Sequence, residues 1–353
     1  MAGYCYREAL PFTAMVMVEC TNVGLSTIYK AAVSKGLSYH VFMVYSYAIS
    51  ALVLFPLSFI FHRKTPLPPF TLGLLSRFFV LGLLGFIAQY LGYKGIAYSS
   101  PTLGSAMSNL TPATTFILAV LFRMEKLALS SLSSRAKIVG TMVSITGAFV
   151  VVLYSGPLLI EMHTANTISL PPSKTSAESN QIAGGTLLAA SYVMVSIWYI
   201  YQTKVVKECP AELVVVFFYN LSSFIVSASV CLITEPNLSA WKVKPNVQLI
   251  SILYSGIIGS AFGTLVHTWG LHVKGPVYVA LFRPLSIAIA AIMGVIFLGD
   301  NLYLGIVIGS IIISIGFYIV TWAKTKEVSE NLQEFDAGSS SNANAPLLKH
   351  QNV

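Results

Sequence analysis

Charged residues are scarce in this chain of 353 residues, since they supply 10% of it, whereas about a quarter is usual in soluble domains. Hydrophobic residues make up 55%, and the mean hydropathy is +0.74. One water-soluble core of this size cannot hide so much apolar surface, so the surplus must face lipid or partner chains. The composition therefore excludes most soluble enzymes and binding domains, and it predicts an all-α polytopic membrane protein.

Other absences exclude further classes of protein. The four cysteines, at positions 5, 20, 209 and 231, are far apart with no ligand-like spacing, so we expect neither a disulfide framework nor a metal site. No nucleotide-binding loop is present, which excludes ATP-driven pumping by this chain. The net charge is +8, but no stretch combines a run of basic residues with the composition of a soluble domain. Nucleic acid is therefore not an expected partner. We expect no cofactor and no enzymatic activity, because one buried carboxylate and one marginal histidine do not make a catalytic set.

Apolar runs of about 20 residues, the length that a helix needs to cross a bilayer, occur ten times. They cover residues 10–31, 41–61, 72–92, 100–122, 136–155, 183–203, 213–234, 247–268, 276–298 and 303–323. Polar, Ser- and Pro-containing residues 156–182 predict a non-cytoplasmic loop, and the polar composition of residues 324–353 predicts a disordered tail. Two units of five spans result, at residues 1–155 and 183–323.

The distribution of lysine and arginine predicts the orientation. With the N-terminus in the cytoplasm, fourteen of the 21 basic residues lie on the cytoplasmic side, six lie on the other side, and Arg283 falls within a span. The positive-inside rule then places both termini in the cytoplasm.

The chain contains an internal repeat. Gly95, Pro101 and Glu125 recur at an offset of 175 as Gly270, Pro276 and Asp300. Two further blocks recur in the same order: Lys30 with Tyr45 matches Lys204 with Tyr219, and Gly140-Thr with Gly147 matches Gly309-Ser with Gly316.

Five spans separate the two copies, and an odd number makes the second copy enter the membrane from the opposite side. Inverted repeats with a site near the midplane are the usual construction of secondary transporters. The repeat thus favours a carrier over a receptor or scaffold, because neither of those functions requires an inverted repeat.

Three motifs resemble a known family: Asn109-Leu-Thr-Pro-Ala-Thr-Thr-Phe, the run from Trp269-Gly-Leu-His to Phe-Arg-Pro-Leu-Ser, and Leu298-Gly-Asp-Asn-Leu. Together they are similar to the plant nodulin-21/EamA-type group of the drug/metabolite transporter superfamily, the Walls-Are-Thin-related or UMAMIT proteins. The resemblance covers nearly all of residues 10–323. It implies ten helices in two inverted EamA repeats, and transport of amino acids or, in some members, auxin. Asp300 and Arg283 depart from the pattern expected of the family, and Arg283 leaves the substrate class open.

Two charges fall inside predicted spans. Glu19 is about nine residues into span one, where a carboxylate costs about 2.5 to 3.5 kcal/mol on insertion scales, and Arg283 is about seven residues into span nine. Both spans run outward from the cytoplasm, so the two charges lie at similar depths. Either they pair with each other, or Glu19 takes a substrate ammonium and Arg283 a carboxylate; Glu19 is also the candidate for proton coupling.

Other polar and aromatic side chains align with this depth, and each has an alternative structural role in helix packing or at the membrane interface. The candidate substrate-binding residues are Glu19, Asn22, Gln89, Asn109, Tyr192, Trp198, Trp269 and Arg283. We interpret His267 as a helix-end residue, not a proton relay.

The predicted function is a secondary transporter or facilitator of small organic solutes, with amino acids first and auxin or another organic anion as the alternative. Its expected partners are the solute, the lipid bilayer and, as a candidate, protons. The family resemblance implies the plasma membrane, with the tonoplast as alternative, and the sequence leaves the oligomeric state open.

Overall fold

The structure is a computed structural model. It describes residues 2–61, 71–108, 110–124, 131–154, 156–160, 174–237, 239–280, 282–283, 286, 289–290, 302–305, 307–316, 318–320, 322–323 and 326. The predicted disordered tail lies outside these residues, apart from Lys326.

Helices form almost all of the described structure. They are α1 (Ala2–Ser34), α2 (Tyr39–Phe61), α3 (Leu72–Tyr98), α4 (Pro101–Ser108), α5 (Leu110–Leu121), α6 (Leu132–Leu153), α7 (Lys174–Glu208), α8 (Glu212–Thr234), α9 (Val247–Tyr254), α10 (Thr264–Val273), α11 (Pro276–Ala280) and α12 (Val307–Val320). A π-helix, Ser255–Gly263, joins α9 to α10. Two short strands, β1 (Leu158–Ile160) and β2 (Leu302–Tyr303), pair antiparallel.

The helices follow the predicted spans in order wherever the structure describes them; α4 and α5 fall within span four, and α9, the π-helix and α10 make up span eight. Five are long and apolar enough to cross a membrane by themselves: Tyr39–Ser58, Leu72–Tyr98, Ile182–Glu208, Glu212–Thr234 and Val247–Val273. The eighth span is longer than predicted, because α10 continues to Val273. The predicted loop 156–182 is shorter, because α7 begins at Lys174 and β1 lies within it.

The contact between α6 and α12 confirms that the two halves are inverted copies. A Cβ added at Gly140 would lie 2.5 Å from the Gly316 carbonyl oxygen, and one at Gly147 would lie 3.0 Å from the Gly309 carbonyl oxygen. The numbering rises along one helix as it falls along the other, so the helices are antiparallel.

The same contact locates the axis that relates the halves. Ser144 donates a hydrogen bond to the carbonyl of Ile313 at 3.4 Å, and these residues are 169 positions apart, the offset at which this part of the repeat recurs. A residue that touches its own repeat equivalent lies on the axis relating the two copies. The fold is therefore two inverted five-helix repeats.

Small residues bring α3 close to α7, and this packing forms one wall of the interior. Gly95 has no room for a Cβ, which would lie 2.7 Å from Leu188, and Ser191 donates a hydrogen bond to the Ala88 carbonyl at 2.7 Å. Close approach through small residues is how membrane helices gain van der Waals contact.

Lys30 fixes α1 to the C-terminal end of α3. Its ammonium donates to the carbonyls of Ile96, Ala97 and Ser99 at 2.7 to 2.9 Å. A cation at a helix C-terminus satisfies carbonyls that have no partner within the helix and complements the helix dipole.

Candidate functional site

A cavity of about 150 Å³ lies in the interior, and residues from two large apolar clusters line it. It is bounded by α1, α3, α7 and α8, by the π-helix, by α10 and by Arg283 in the turn after α11. Both repeats therefore contribute to its wall. It is large enough for a small organic solute, and its lining mixes aromatic rings with amide, hydroxyl and charged groups.

The two charges predicted from the sequence meet at one end of this cavity. Oε2 of Glu19 is 3.6 Å from Nη1 of Arg283. The Glu19 side chain is fully buried and does not line the cavity, whereas the Arg283 side chain is 13% exposed and does. Neither Glu19 oxygen has a hydrogen-bond partner among the described residues. The carboxylate is thus a counter-ion behind the guanidinium.

Tyr199 orients the guanidinium on its cavity side. Nη2 of Arg283 donates a hydrogen bond to the Tyr199 hydroxyl at 2.7 Å, and the guanidinium carbon is 6.0 Å from the centre of that ring. The backbone carbonyl of Arg283 is held by the Ser286 hydroxyl at 2.6 Å, which in turn lies 3.1 Å from the Ser108 hydroxyl on α4. These bonds place Arg283 without consuming its Nε, which has no partner among the described residues.

His267 belongs to the same group of side chains, contrary to its prediction as a helix-end residue. Its Nε2 is 3.9 Å from Oε1 of Glu19, and the side chain is 9% exposed and lines the cavity. The predicted span ended at residue 268, which placed His267 at the end of a helix. In the structure, α10 continues for six residues beyond His267, to Val273. A polar residue well inside an apolar helix would have been the signal.

Aromatic side chains form the wall beside Arg283. Trp198 lies 5.5 Å from Tyr199 and 5.4 Å from Tyr219, between ring centres. Tyr219 in turn fills the space at Gly85, where a Cβ would lie 2.3 Å from the ring. Such a wall offers flat apolar surface for the non-polar part of a solute, and ring edges and faces for its charged part.

Most of the predicted binding residues surround this cavity. Asn22, Gln89, Tyr192, Trp198 and Arg283 line it, and Glu19 lies directly behind Arg283. Trp269 is half-buried on α10 and is not among the lining residues. Asn109 lies outside the described residues.

The groups of this arrangement have the chemistry needed to bind a carboxylate. A guanidinium presents paired N–H donors that match the two oxygens of a carboxylate. The negative charge of Glu19 offsets part of the free-energy cost of burying the positive charge of Arg283. Over the described part of the chain no group of three His, Cys, Asp or Glu side chains is placed to hold a metal ion.

Comparison with known proteins identifies the family. The model of the EamA-like transporter family matches residues 13–153 and again residues 182–322. The chain belongs to the EamA-like transporter family. The double match agrees with the two inverted repeats, and membership makes this chain a membrane transporter of small solutes.

Three curated EamA-type relatives from Arabidopsis thaliana show how closely the chain resembles this group in plants. It is 54% identical to WAT1-related protein At5g40240, with 92% of this chain and 89% of the relative covered. It is 51% identical to WAT1-related protein At4g15540, over 92% and 91% of the two chains, and 50% identical to WAT1-related protein At3g28050, over 98% and 97%. The family predicted from the sequence is therefore confirmed.

A solved structure shares the fold of this chain. A crystal structure of a protein superposes with a TM-score of 0.56 at 15% identity, covering 87% of this chain and 97% of the other. At this identity the likeness concerns the fold alone.

Proposed function

We propose that this transporter carries small solutes that bear a carboxylate, with amino acids as the principal class, by alternating access around the cavity. The observation that supports this is the Arg283 guanidinium, which lines the cavity and is held by the Tyr199 hydroxyl at 2.7 Å. A substrate carboxylate would compete with Glu19 for the guanidinium, which is 3.6 Å from the Glu19 carboxylate.

As long as His267 is neutral, charge balance favours a zwitterion over an anion. Glu19 and Arg283 cancel each other, so the empty site carries no net charge while His267 is neutral. A zwitterionic amino acid leaves that balance unchanged, whereas an anion leaves one uncompensated charge in a buried place, which is unfavourable. The amide oxygens of Asn22 and Gln89, which line the cavity, are acceptors for an ammonium group.

An organic anion such as auxin is the second candidate. The aromatic wall of Trp198, Tyr199 and Tyr219 provides flat surface for an aromatic ring, and the guanidinium would bind its carboxylate. This alternative requires another positive charge to restore the balance, and protonation of His267, which lines the cavity, would supply it.

The test is transport by purified protein in liposomes, with a panel of labelled amino acids, auxin, and amines that lack a carboxylate, each with and without a pH gradient. We expect amino acids to be carried, amines to be excluded, and Arg283→Gln to reduce amino-acid flux at least tenfold. Arg77→Gln is the matched control, because Arg77 pairs with Glu208 at a site where both side chains are about half exposed, away from the cavity. Auxin flux without amino-acid flux would establish the second candidate, and amine flux that survives Arg283→Gln would refute carboxylate recognition.

We also propose that both termini face the cytoplasm and that the protein resides in the plasma membrane, with the tonoplast as alternative. The excess of basic residues on one side supports the orientation, and the family resemblance supports the membrane. Fluorescent fusions at each end, viewed against markers of both membranes and treated with protease outside the cell, test both statements.

A further inference from the structure

His267 lies at the cavity beside Glu19, and carboxylate recognition by Arg283 does not require it. It projects from α10 toward Glu19 on α1, with 3.9 Å between Nε2 and Oε1, and Nε2 has no hydrogen-bond partner among the described residues. At 3.9 Å the two atoms are slightly beyond hydrogen-bond distance. A small shift of either side chain would therefore make a bond, provided that Nε2 carries a proton.

Glu19 needs a cation beside it at every stage of transport. It is fully buried, and neither oxygen receives a hydrogen bond from the described residues, so Arg283 at 3.6 Å is its principal stabilising partner. An unpaired carboxylate in such surroundings is strongly unfavourable. A substrate carboxylate that binds Arg283 weakens this pairing, and Glu19 then requires a second positive group.

We propose that His267 takes up a proton when a substrate carboxylate engages Arg283, and that the resulting imidazolium holds Glu19 until the substrate leaves. This inference rests on the proposed function and adds proton coupling to it. The proton passes from water in the cavity to the lone pair of Nε2 and returns to water on the side where the substrate is released. It therefore travels in the same direction as the substrate.

The surroundings of His267 contain one group suited to pair with the imidazolium. Among the described residues, the nearest titratable and charged groups are Glu19 on α1 and Tyr199 on α7, and Arg283 after α11, Tyr93 on α3, Tyr192 on α7 and Tyr219 on α8 line the same cavity. The centre of the Tyr199 ring is 5.9 Å from that of His267. Arg283 opposes a second positive charge while it is paired with Glu19, and this opposition falls when a substrate carboxylate neutralises the guanidinium. Proton uptake and substrate binding thus favour each other.

The experiment measures the ratio of internal to external substrate concentration in proteoliposomes with an acidic exterior. Potassium and valinomycin hold the membrane potential at zero. The probe is whichever amino acid the transport panel shows to be carried. One proton per substrate across one pH unit would give accumulation approaching tenfold, because one pH unit is a tenfold ratio of proton activity, or about 1.4 kcal/mol.

The accumulation ratio at steady state does not depend on how much folded protein is present, so a partly misfolded variant lowers the rate without changing the ratio. We expect wild type and His40→Gln to accumulate substrate close to tenfold. His40 is the matched control because it is a buried histidine outside the cavity. His267→Gln, which keeps a hydrogen-bond donor for Glu19 but cannot titrate, should equilibrate the substrate without accumulating it.

Two results would overturn the proposal. One is a wild-type ratio near one with Arg283-dependent flux intact, which would leave carboxylate transport standing without proton coupling. The other is unchanged accumulation by His267→Gln, which would place the proton on another group. Failure of the proposed function has a different signature, since no carboxylate solute would then be carried at all.

Discussion

Replacing the two charged residues of the site, singly and together, should reveal how they depend on each other. At 3.6 Å, two unit charges attract by about 4 to 5 kcal/mol at an effective dielectric constant of about 20. Breaking a buried pair by removing one partner typically costs about 3 to 5 kcal/mol, because the other charge is left uncompensated. Replacing both charges by neutral amides removes that penalty.

The two single variants should differ, because the charges they leave behind differ in exposure. Arg283→Gln leaves Glu19 fully buried, with His267 as the remaining cationic candidate. Glu19→Gln leaves Arg283 13% exposed on the cavity and bonded to Tyr199. We therefore expect Arg283→Gln to destabilise by about 3 to 5 kcal/mol, Glu19→Gln by roughly half as much, and the double variant by less than Arg283→Gln alone.

The assay is thermal or denaturant unfolding in lipid nanodiscs, compared across wild type, both single variants and the double variant. The exposed pair Arg77 and Glu208 provides the reference, where we expect a coupling of less than about 1 kcal/mol. Additive effects of Glu19→Gln and Arg283→Gln would refute the pairing. A larger loss from Glu19→Gln than from Arg283→Gln would refute the assignment of Glu19 as the buried counter-ion.

Two further variants test the packing of the repeats. Gly316→Leu should destabilise by about 1 to 3 kcal/mol, since a Cβ there would lie 2.5 Å from the Gly140 carbonyl oxygen; Gly73→Leu, where the nearest atom is 3.9 Å away, should be tolerated, and equal melting midpoints would contradict the close approach. Lys30→Met should destabilise by about 2 kcal/mol by removing three charge-assisted bonds at the end of α3. Lys30→Arg should recover most of that loss in the same melting assay, and a stable Lys30→Met protein would show that these bonds are dispensable.

Much of the fold can be predicted from the sequence, because the lipid bilayer restricts the structures that a spanning segment can adopt. Apolar runs long enough to cross a bilayer must be helical, and the glycine pairs that recur at a fixed offset mark the contact between equivalent helices. In the repeat, Gly140 is equivalent to Gly309 and Gly147 to Gly316. In the structure, Gly140 contacts Gly316 and Gly147 contacts Gly309, because the two equivalent helices are antiparallel. The π-helix Ser255–Gly263 could not be predicted, because a change of hydrogen-bond register leaves little trace in an apolar run.

The charged residues Glu19 and Arg283 give the clearest signal of the site in the sequence. Glu19 and Arg283 stand out because a charge inside a span is expensive and therefore rare. Tyr199 and Tyr219 give no such signal, since aromatic residues occur throughout membrane helices and only packing decides which rings face a cavity. Trp269 shows the limit of this reasoning: it shares α10 with His267, but two positions along a helix turn a side chain by about 200°, so the two residues lie on different faces.

The site does not share the symmetry of its scaffold. The offset of 175 pairs His267 with Gly92 and Arg283 with Ser108, so the repeat equivalents of the two basic residues carry no charge. Full symmetry would place two carboxylates and two guanidiniums around one small cavity. A single solute would then have to separate two ion pairs in order to bind. With one charge from each repeat, Glu19 and Arg283, relative motion of the repeats can itself change the distance between them, which links opening and closing of the cavity to binding of a carboxylate.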